Sequence, residues 1–423
     1  MNSRERVIET LNHRQTDRVA IDLGATNATG ISAVVYAKLR RLLGLEATDT
    51  VIFDVMQQLA EVEPDVLSKL GGDVVMLRRL SPTLGMPVRR YIKGRGMDGS
   101  AVLYPDTYHP VVQENGDMEL YKVTDDYDEV HPYRLDVPRE EYEKGKMVAR
   151  CPKGFNAFAR MYHPLSQVET IEELDRYAFP EMREEETAFL TQEAKRLYET
   201  TDKAICGVFG GNIFEMGQLY WGYETYFMNI GAEKEFTMNF LERRADAFMR
   251  DLKKYLDAVG SYIQIINFYD DLGTQNSLLI SPAMYREMIK PFHKRMYGYV
   301  REHYPNIKVL LHSCGAIYDL IPDFIEAGVQ ALNPVQITAE GMDPARLKKN
   351  FGSDVAFWGG GVDTQFTLNS GSIQQVTAMV REMIRILAPG GGYVFSQVHN
   401  IESCVPAENV LAAFETALQC AKY

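Results

Sequence analysis

The chain has 423 residues, 46% hydrophobic and 24% charged, proportions that fit a folded globular protein and exclude a disordered or fibrous one. Its 58 acidic against 45 basic side chains leave a formal net charge of −13, a field that repels phosphate backbones and anionic membrane surfaces, so no nucleic acid partner is expected. No apolar run approaches the roughly 18–20 residues that span a bilayer. The opening MNSRERVIETL is charged and amphipathic rather than a secretory signal, so a cytoplasmic protein that makes no membrane contact is expected.

In chain order, Ser3 is placed to cap a first helix carrying Val7, Ile8 and Leu11 on one face. A short strand Arg18–Asp22 follows, then amphipathic helices Ile31–Leu43 and Val55–Leu70, and a buried strand Asp73–Leu77 after the Gly71-Gly72 break. From Arg89 to Val123 short strand-like runs separated by Gly, Asp and Asn predict a small antiparallel meander. The next stretch, to His163, is rich in Tyr, Glu, Pro and Lys without periodicity and is expected to lie over the surface. Residues 89–163 are thus expected to form a surface insertion within one domain.

Strict alternation follows. Helix Glu181–Thr200 leads to strand Ala204–Phe209, helices over Tyr223–Val259, strand Tyr262–Phe268, helix Ser281–His303 and strand Ile307–His312. Then come helix Ile317–Ala327, strand Val329–Leu332, helix Pro344–Phe351, strand Val355–Trp358, helix Ser372–Leu387, strand Tyr393–Gln397 and helix Pro406–Ala421. Alternation of this kind implies parallel pairing through right-handed crossovers. Eight strands, beginning at Arg18, Asp73, Ala204, Tyr262, Ile307, Val329, Val355 and Tyr393, predict a closed (β/α)8 TIM barrel with an N-terminal extension and a small β-rich insertion; a doubly wound open sheet is the alternative.

In such a barrel the residues just past each strand's C-terminal end face the site. His312 and Cys314 leave the fifth strand two positions apart, and an imidazole and a thiolate at that spacing form a borderline-soft pair suited to zinc. A buried cysteine beside a hydrogen-bonded core histidine is the plainer reading. Catalytic zinc takes a third protein ligand, for which His399 and Cys404, beyond the last strand, are both candidates. Adjacent Asp270 and Asp271 read either as acid/base or substrate-orienting groups, or as one capping a turn and the other solvated. Asp363 follows three glycines that would let a ligand approach closely, though that run matches no nucleotide-binding pattern. The five cysteines are scattered and odd in number, which excludes a disulfide framework, and Cys151, Cys206 and Cys420 have no partner at ligand spacing.

Asp270-Asp271-Leu-Gly-Thr-Gln, SPAMYREMIKPFHKRM, LLHSCG, ALNPVQ, GGGVDTQ and VHNIESCVPAENV occur in this order, and in them the chain resembles the uroporphyrinogen decarboxylase superfamily from about Ala204 to its end. The resemblance implies a (β/α)8 barrel. The His-x-Cys pair is similar to that of the cobamide-dependent methyltransferase branch, such as methylcobamide:coenzyme M methyltransferases, in which His, Cys and a later Cys bind zinc. Carried over by position, His312 and Cys314 match the first two ligands, while His399 falls at the position of the later Cys, with Cys404 five residues beyond. His399 also coincides with a histidine of the true decarboxylases. The arginine-rich N-terminal segment of those decarboxylases has no counterpart, since Asp22–Gly30 here reads DLGATNATG without a cation for substrate carboxylates.

The resemblance therefore implies a zinc-dependent methyltransferase, with zinc on His312, Cys314 and His399 or Cys404, working with a corrinoid carried by a partner protein and a small methyl donor or acceptor. Asp271 and His399 are the expected catalytic groups; Asp270, Asn333 and Asp363 are expected to orient substrate. A metal-free decarboxylase-type lyase is the competing reading. The sequence leaves the choice between monomer and homodimer open.

Overall fold

Short runs that are apolar on both faces can become stable strands only if both faces are covered, which parallel sheets achieve through crossover helices. In the computed structural model, which describes residues 1–81, 87–108, 110–122, 146–151, 160–161 and 163–421, such runs form β1 (Ala20–Ile21), β2 (Val74–Leu77), β3 (Ala204–Gly210), β4 (Ile265–Tyr269), β5 (Lys308–His312), β6 (Ala331–Asn333), β7 (Ala356–Trp358) and β8 (Tyr393–Phe395). They make one parallel sheet in the spatial order β1-β8-β7-β6-β5-β4-β3-β2. The seam between β1 and β2 is closed by Asp73, whose backbone N–H donates to the Ile21 carbonyl at 2.7 Å and whose carboxylate accepts the Ile21 N–H at 3.0 Å. The fold is the expected (β/α)8 TIM barrel.

The barrel interior combines the small side chains Ala20, Ala204, Cys206, Ala331 and Ala356 with the branched Val74, Ile265, Leu310 and Val394 around the large indole of Trp358, all fully buried. Val7 and Leu11 of the first helix (Ser3–Leu11) join this cluster. That helix meets the strand beginnings, since the Arg4 N–H bonds the carbonyl of Asp202 and the Gly392 N–H that of Thr10. The N-terminal end of the barrel is thereby plugged, and the C-terminal end is left for chemistry. No helix among the described residues is long and apolar enough to cross a membrane.

Several elements differ from the sequence expectation for local reasons. The segment expected as helix Val55–Leu70 is helical only from Pro64, a residue suited to the first helical turn; before it, Thr50–Asp54 and Leu59–Ala60 pair as antiparallel strands. Helix Ser281–His303 is broken into Pro282–Met284, a π turn Tyr285–Ile289 and Lys290–His303, because Pro291 cannot donate to the preceding turn. The single meander expected after Arg89 is divided. Tyr91–Arg95 and Ala101–Pro105 pair with each other and join Thr50–Asp54, whereas Met118–Lys122 belongs to a second sheet with Val111–Val112, Lys146–Cys151 and Arg160–Met161. Of the expected surface excursion, residues 123–145, 152–159 and 162 lie outside the described residues.

The seam carries the most strongly charged part of the core. Asp73, fully buried, takes Arg6 at 2.7 Å and Arg18 at 2.7 Å, and Arg6 also pairs with Asp17 at 2.7 Å. Removing one partner of a buried pair strands the other, at a cost of about 3–5 kcal/mol. Asp73→Ala should therefore lower the unfolding free energy by that amount, read as a lower urea midpoint with little change in slope. A loss below about 1 kcal/mol, the size of a surface pair, would mean that the seam is held by other contacts.

Candidate metal centre

The register of the barrel brings the site together. On β4, β5 and β6, Tyr269 lies beside His312 and His312 beside Asn333. The Asn333 side-chain NH2 donates to the Trp358 carbonyl on β7 at 3.0 Å, which turns its Oδ1 toward His312 to accept the Nδ1–H at 2.6 Å. The His312 Nε2 is thereby left without a proton, facing the Cys314 sulfur at 3.3 Å. His399, past the end of β8, is oriented in the same way. The Asn400 NH2 donates to Gln57 Oε1 at 2.6 Å, so Asn400 Oδ1 accepts the His399 Nδ1–H at 2.7 Å and again leaves Nε2 available. The two rings lie 5.7 Å apart, and the ligand atoms of His312, Cys314 and His399 are all within 4.8 Å of one another.

Two unprotonated imidazole nitrogens and a thiol at one point form a borderline-soft donor set that fits zinc, and the amide acceptors behind each ring are the outer partners that metal-binding histidines use. Burial lowers the His312 pKa, with Asp271 acting to raise it and His399 to lower it. Burial, reinforced by Asp271 and Glu215, pushes the Cys314 thiol well above its ordinary value. A divalent cation reverses that balance by favouring the thiolate. The loop that presents Cys314 is held by the Cys314 N–H to Asp271 Oδ1 at 2.7 Å and the Gly315 N–H to Gln336 at 2.7 Å. Gly315 has φ +91°, and a Cβ there would lie 2.4 Å from the Gly273 carbonyl carbon, so no other residue fits.

The structure sorts the other expected residues. Cys404 is exposed and lies outside the group, with its sulfur 3.9 Å from Glu402. Asp270 has both oxygens occupied: they accept the Phe214 and Glu215 N–H groups at 2.8 Å each, and His293 lies 2.9 Å away. It thus caps helix Ile213–Trp221 from a neighbouring strand end. Asp363 accepts the N–H groups of Gln365, Phe366 and Thr367 and shapes its own loop. Asn333 is spent on His312 and Trp358. All three are engaged in hydrogen bonds that position the protein itself. Asp271 differs, with one oxygen on the Cys314 N–H, 3.7 Å from His312 Nε2, and its side chain 35% exposed.

Glu215 escaped the sequence reading. It stands at the third position of helix Ile213–Trp221, where its carboxylate accepts from the Asn212 NH2 at 2.7 Å. Burial first, then Asp271 and Asp270, push its pKa up to about 8. The Asn-x-x-Glu spacing at 212–215 was the available signal, since it is the pattern of a helix start. Gln57 and His293, set on remote segments, carried no such signal.

A parallel barrel of this topology, with the group at the C-terminal ends of β5 and β8, has an enzyme-family fold whose strand ends carry the chemistry. The chain belongs to the uroporphyrinogen decarboxylase (URO-D) family, which residues 160–419 match. It is 27% identical over 208 residues to the chloroplastic uroporphyrinogen decarboxylase of Zea mays, covering 46% of this chain and 48% of that protein. It is also 29% identical over 204 residues to a type 2 topoisomerase polypeptide of Aquifex aeolicus, covering 42% of this chain and 25% of that one. The chain thus spans half or less of the length of these curated relatives. In three dimensions it is similar over 99% of both chains to a methyltransferase from Methanosarcina mazei, at a TM-score of 0.55 and 15% identity, a likeness of fold.

Glu215 has a pH signature. Its pKa in the folded chain, about 8, lies above the ordinary 4.5, so its contribution is fully present below that ordinary value and is lost as pH rises through about 8. Between about pH 5 and pH 9 the melting temperature of chelated wild-type protein should fall relative to that of Glu215→Gln. A constant difference between the two across that range would show that Glu215 is not held protonated.

Proposed function

We propose that the chain is a zinc-dependent methyltransferase that moves a methyl group between a corrinoid carried by a partner protein and a small thiol, folate or methylated donor. The observation that supports it most is the His312, Cys314, His399 group with both imidazoles turned to present Nε2. In this reading His399 is the third ligand and Cys404 is not. Residues 89–163 are taken as an insertion within a single catalytic domain.

Zinc bound there would supply Lewis acidity, lowering the pKa of a thiol acceptor or polarising a methyl donor at an open coordination position. The protein's own groups do the remaining work. Asn333 and Asn400 keep the Nδ1 protons on His312 and His399, so that neither ring changes tautomer during turnover. Asp271, with one oxygen on the Cys314 N–H and its side chain 35% exposed, orients a donor group of the substrate, while Glu215 holds a proton on its carboxyl that it can lend to a developing negative charge. Tyr223, 64% exposed and close to Glu215 and Asp271, stands at the rim where a docked corrinoid protein would meet the barrel.

The decarboxylase reading is weaker because the Asp22–Gly30 loop spends its polar groups internally. Asp22 accepts from Trp358 Nε1 at 2.8 Å, Thr26 and Thr29 bond each other, and Asn27 reaches Asp54 at 2.6 Å. It offers no cation to a substrate rich in carboxylates.

Methylcobalamin offered with a panel of thiols, tetrahydrofolate and methylated amines or ethers should show methyl exchange that is lost on chelation and restored by zinc. Exchange that ignores chelation, or porphyrinogen decarboxylation in its place, would overturn the reading. By elemental analysis Cys314→Ser and His399→Ala should lose most bound zinc and Cys404→Ala should keep it; retention in all three would place the metal elsewhere. Asn333→Ala and Asn400→Ala should weaken zinc binding by about 10–100-fold without abolishing it, the usual cost of removing an outer partner.

A further inference from the structure

Beside the barrel mouth, between the ends of β2 and β3 and helices Glu184–Thr200 and Lys234–Val259, lies a second cavity of about 280 Å³. Its walls include Leu80, Phe209, Met216, Tyr220 and Phe248. Arg79, Arg183 and Arg244 line it, and Arg79 and Arg244 differ. Arg79 is neutralised by Glu186 at 3.1 Å, whose carboxylate also accepts the Leu80 and Ser81 N–H groups. Arg244 is only 7% exposed, yet its Nε and Nη1 have no hydrogen-bond partner, and no carboxylate lies within ion-pair distance of it among the described residues. Its guanidinium lies 3.8 Å over the Phe248 ring. Of the other carboxylates that line the cavity, Glu181, Glu185 and Asp251, the last accepts the Met182 N–H at 2.7 Å.

A buried guanidinium with open donors is costly unless an acceptor meets it. Its planar fork matches a carboxylate, and stacking on an aromatic face supports the cation without replacing that acceptor. Beside the guanidinium stand the apolar and aromatic walls Leu80, Phe209, Met216, Tyr220 and Phe248, with Ser81, Glu181, Arg183 and Glu185 completing the lining. Glu186 is matched by Arg79, Glu181 by Arg250 and Lys254, and Glu185 by Arg89, so the open donors of Arg244 call for a single carboxylate rather than a polyanion. An apolar cavity of roughly 150 Å³ holds benzene, so 280 Å³ accommodates a single ring and its acid group. We propose that this cavity is a binding site for a small organic monocarboxylate with an apolar or aromatic body, its carboxylate on Arg244 and its body against Phe209, Phe248 and Met216. The site is separate from the metal group, though Met216 and Glu215 are consecutive residues of the same helix.

Isothermal titration of the full chain with benzoate tests this directly, using benzamide and inorganic phosphate as the uncharged and polyanionic counterparts. Benzoate should bind one to one with a dissociation constant below about 1 mM, at least tenfold more tightly than either control. Arg244→Met, which keeps the stem packed on Phe248, should weaken benzoate at least tenfold, whereas Cys314→Ser should bind it as wild type does. The wild-type comparison of benzoate with benzamide stands even if Arg244→Met fails to fold. No benzoate binding, equal binding of benzamide, or phosphate binding as tight as benzoate would overturn the proposal, as would loss of binding in Cys314→Ser, which would move the ligand to the metal group.

Discussion

Both histidines of the candidate metal centre are useful only in one tautomer, and this constraint organises the open end of the barrel. Each must hold its proton on Nδ1, and each does so because a neighbouring amide has its NH2 committed elsewhere: Asn333 on the Trp358 carbonyl, Asn400 on Gln57. Gln57 is fixed in turn, since its backbone N–H bonds Asp54 at 3.1 Å. The order β5, β6, β7 in the sheet thus appears at the site as His312, Asn333 and Trp358, and the Trp358 indole extends the chain to Asp22 beyond β1. A shift of register between any two of these strands would separate a ring from its acceptor and free it to rotate.

The electrostatics point the same way. Asp270, Asp271 and Glu215 gather near a partly buried thiol and a buried imidazole, an arrangement that resists further negative charge. Asp270 is balanced by two N–H groups at the start of helix Ile213–Trp221 and by His293, itself 3.1 Å from the Tyr285 hydroxyl. Glu215 resolves its share by holding a proton, and Cys314 by remaining a thiol. A divalent cation held by His312, Cys314 and His399 would favour the thiolate and oppose this balance, which would link metal affinity, thiol ionisation and the charge of Glu215 in one cluster.

Much of this was legible in the sequence because it follows from period and spacing. The eight strands were visible as short buried runs, and the pairing of His312 with Cys314 needed only two positions of separation at a strand end. What required the fold was anything decided across the barrel. His399 and Cys404 are five residues apart, and the sequence could not rank them; the turn after β8 puts one imidazole in the group and leaves the other side chain exposed. The hydrogen bonds of Asp270 and Asp363 were likewise out of reach of the sequence: the turns beyond the strands leave backbone N–H groups needing acceptors, and these short acidic side chains supply them. Arg244, on the buried face of a long helix, gave no local sign that its charge would go unpaired.

The division of labour along the barrel axis explains how such a cluster is tolerated. At one end Val7 and Leu11 fill the lumen, and Asp73 with its two arginines closes the seam. At the other end the side chains of the metal group are joined to the core by hydrogen bonds rather than by apolar packing, and Cys314 and His399 are only partly buried. Stability therefore resides mainly in the plugged half and in the helix layer, where large aromatic and aliphatic side chains are fully buried. The half that carries the acids and the thiol can hold electrostatically unfavourable groups because little of the fold's cohesion depends on them.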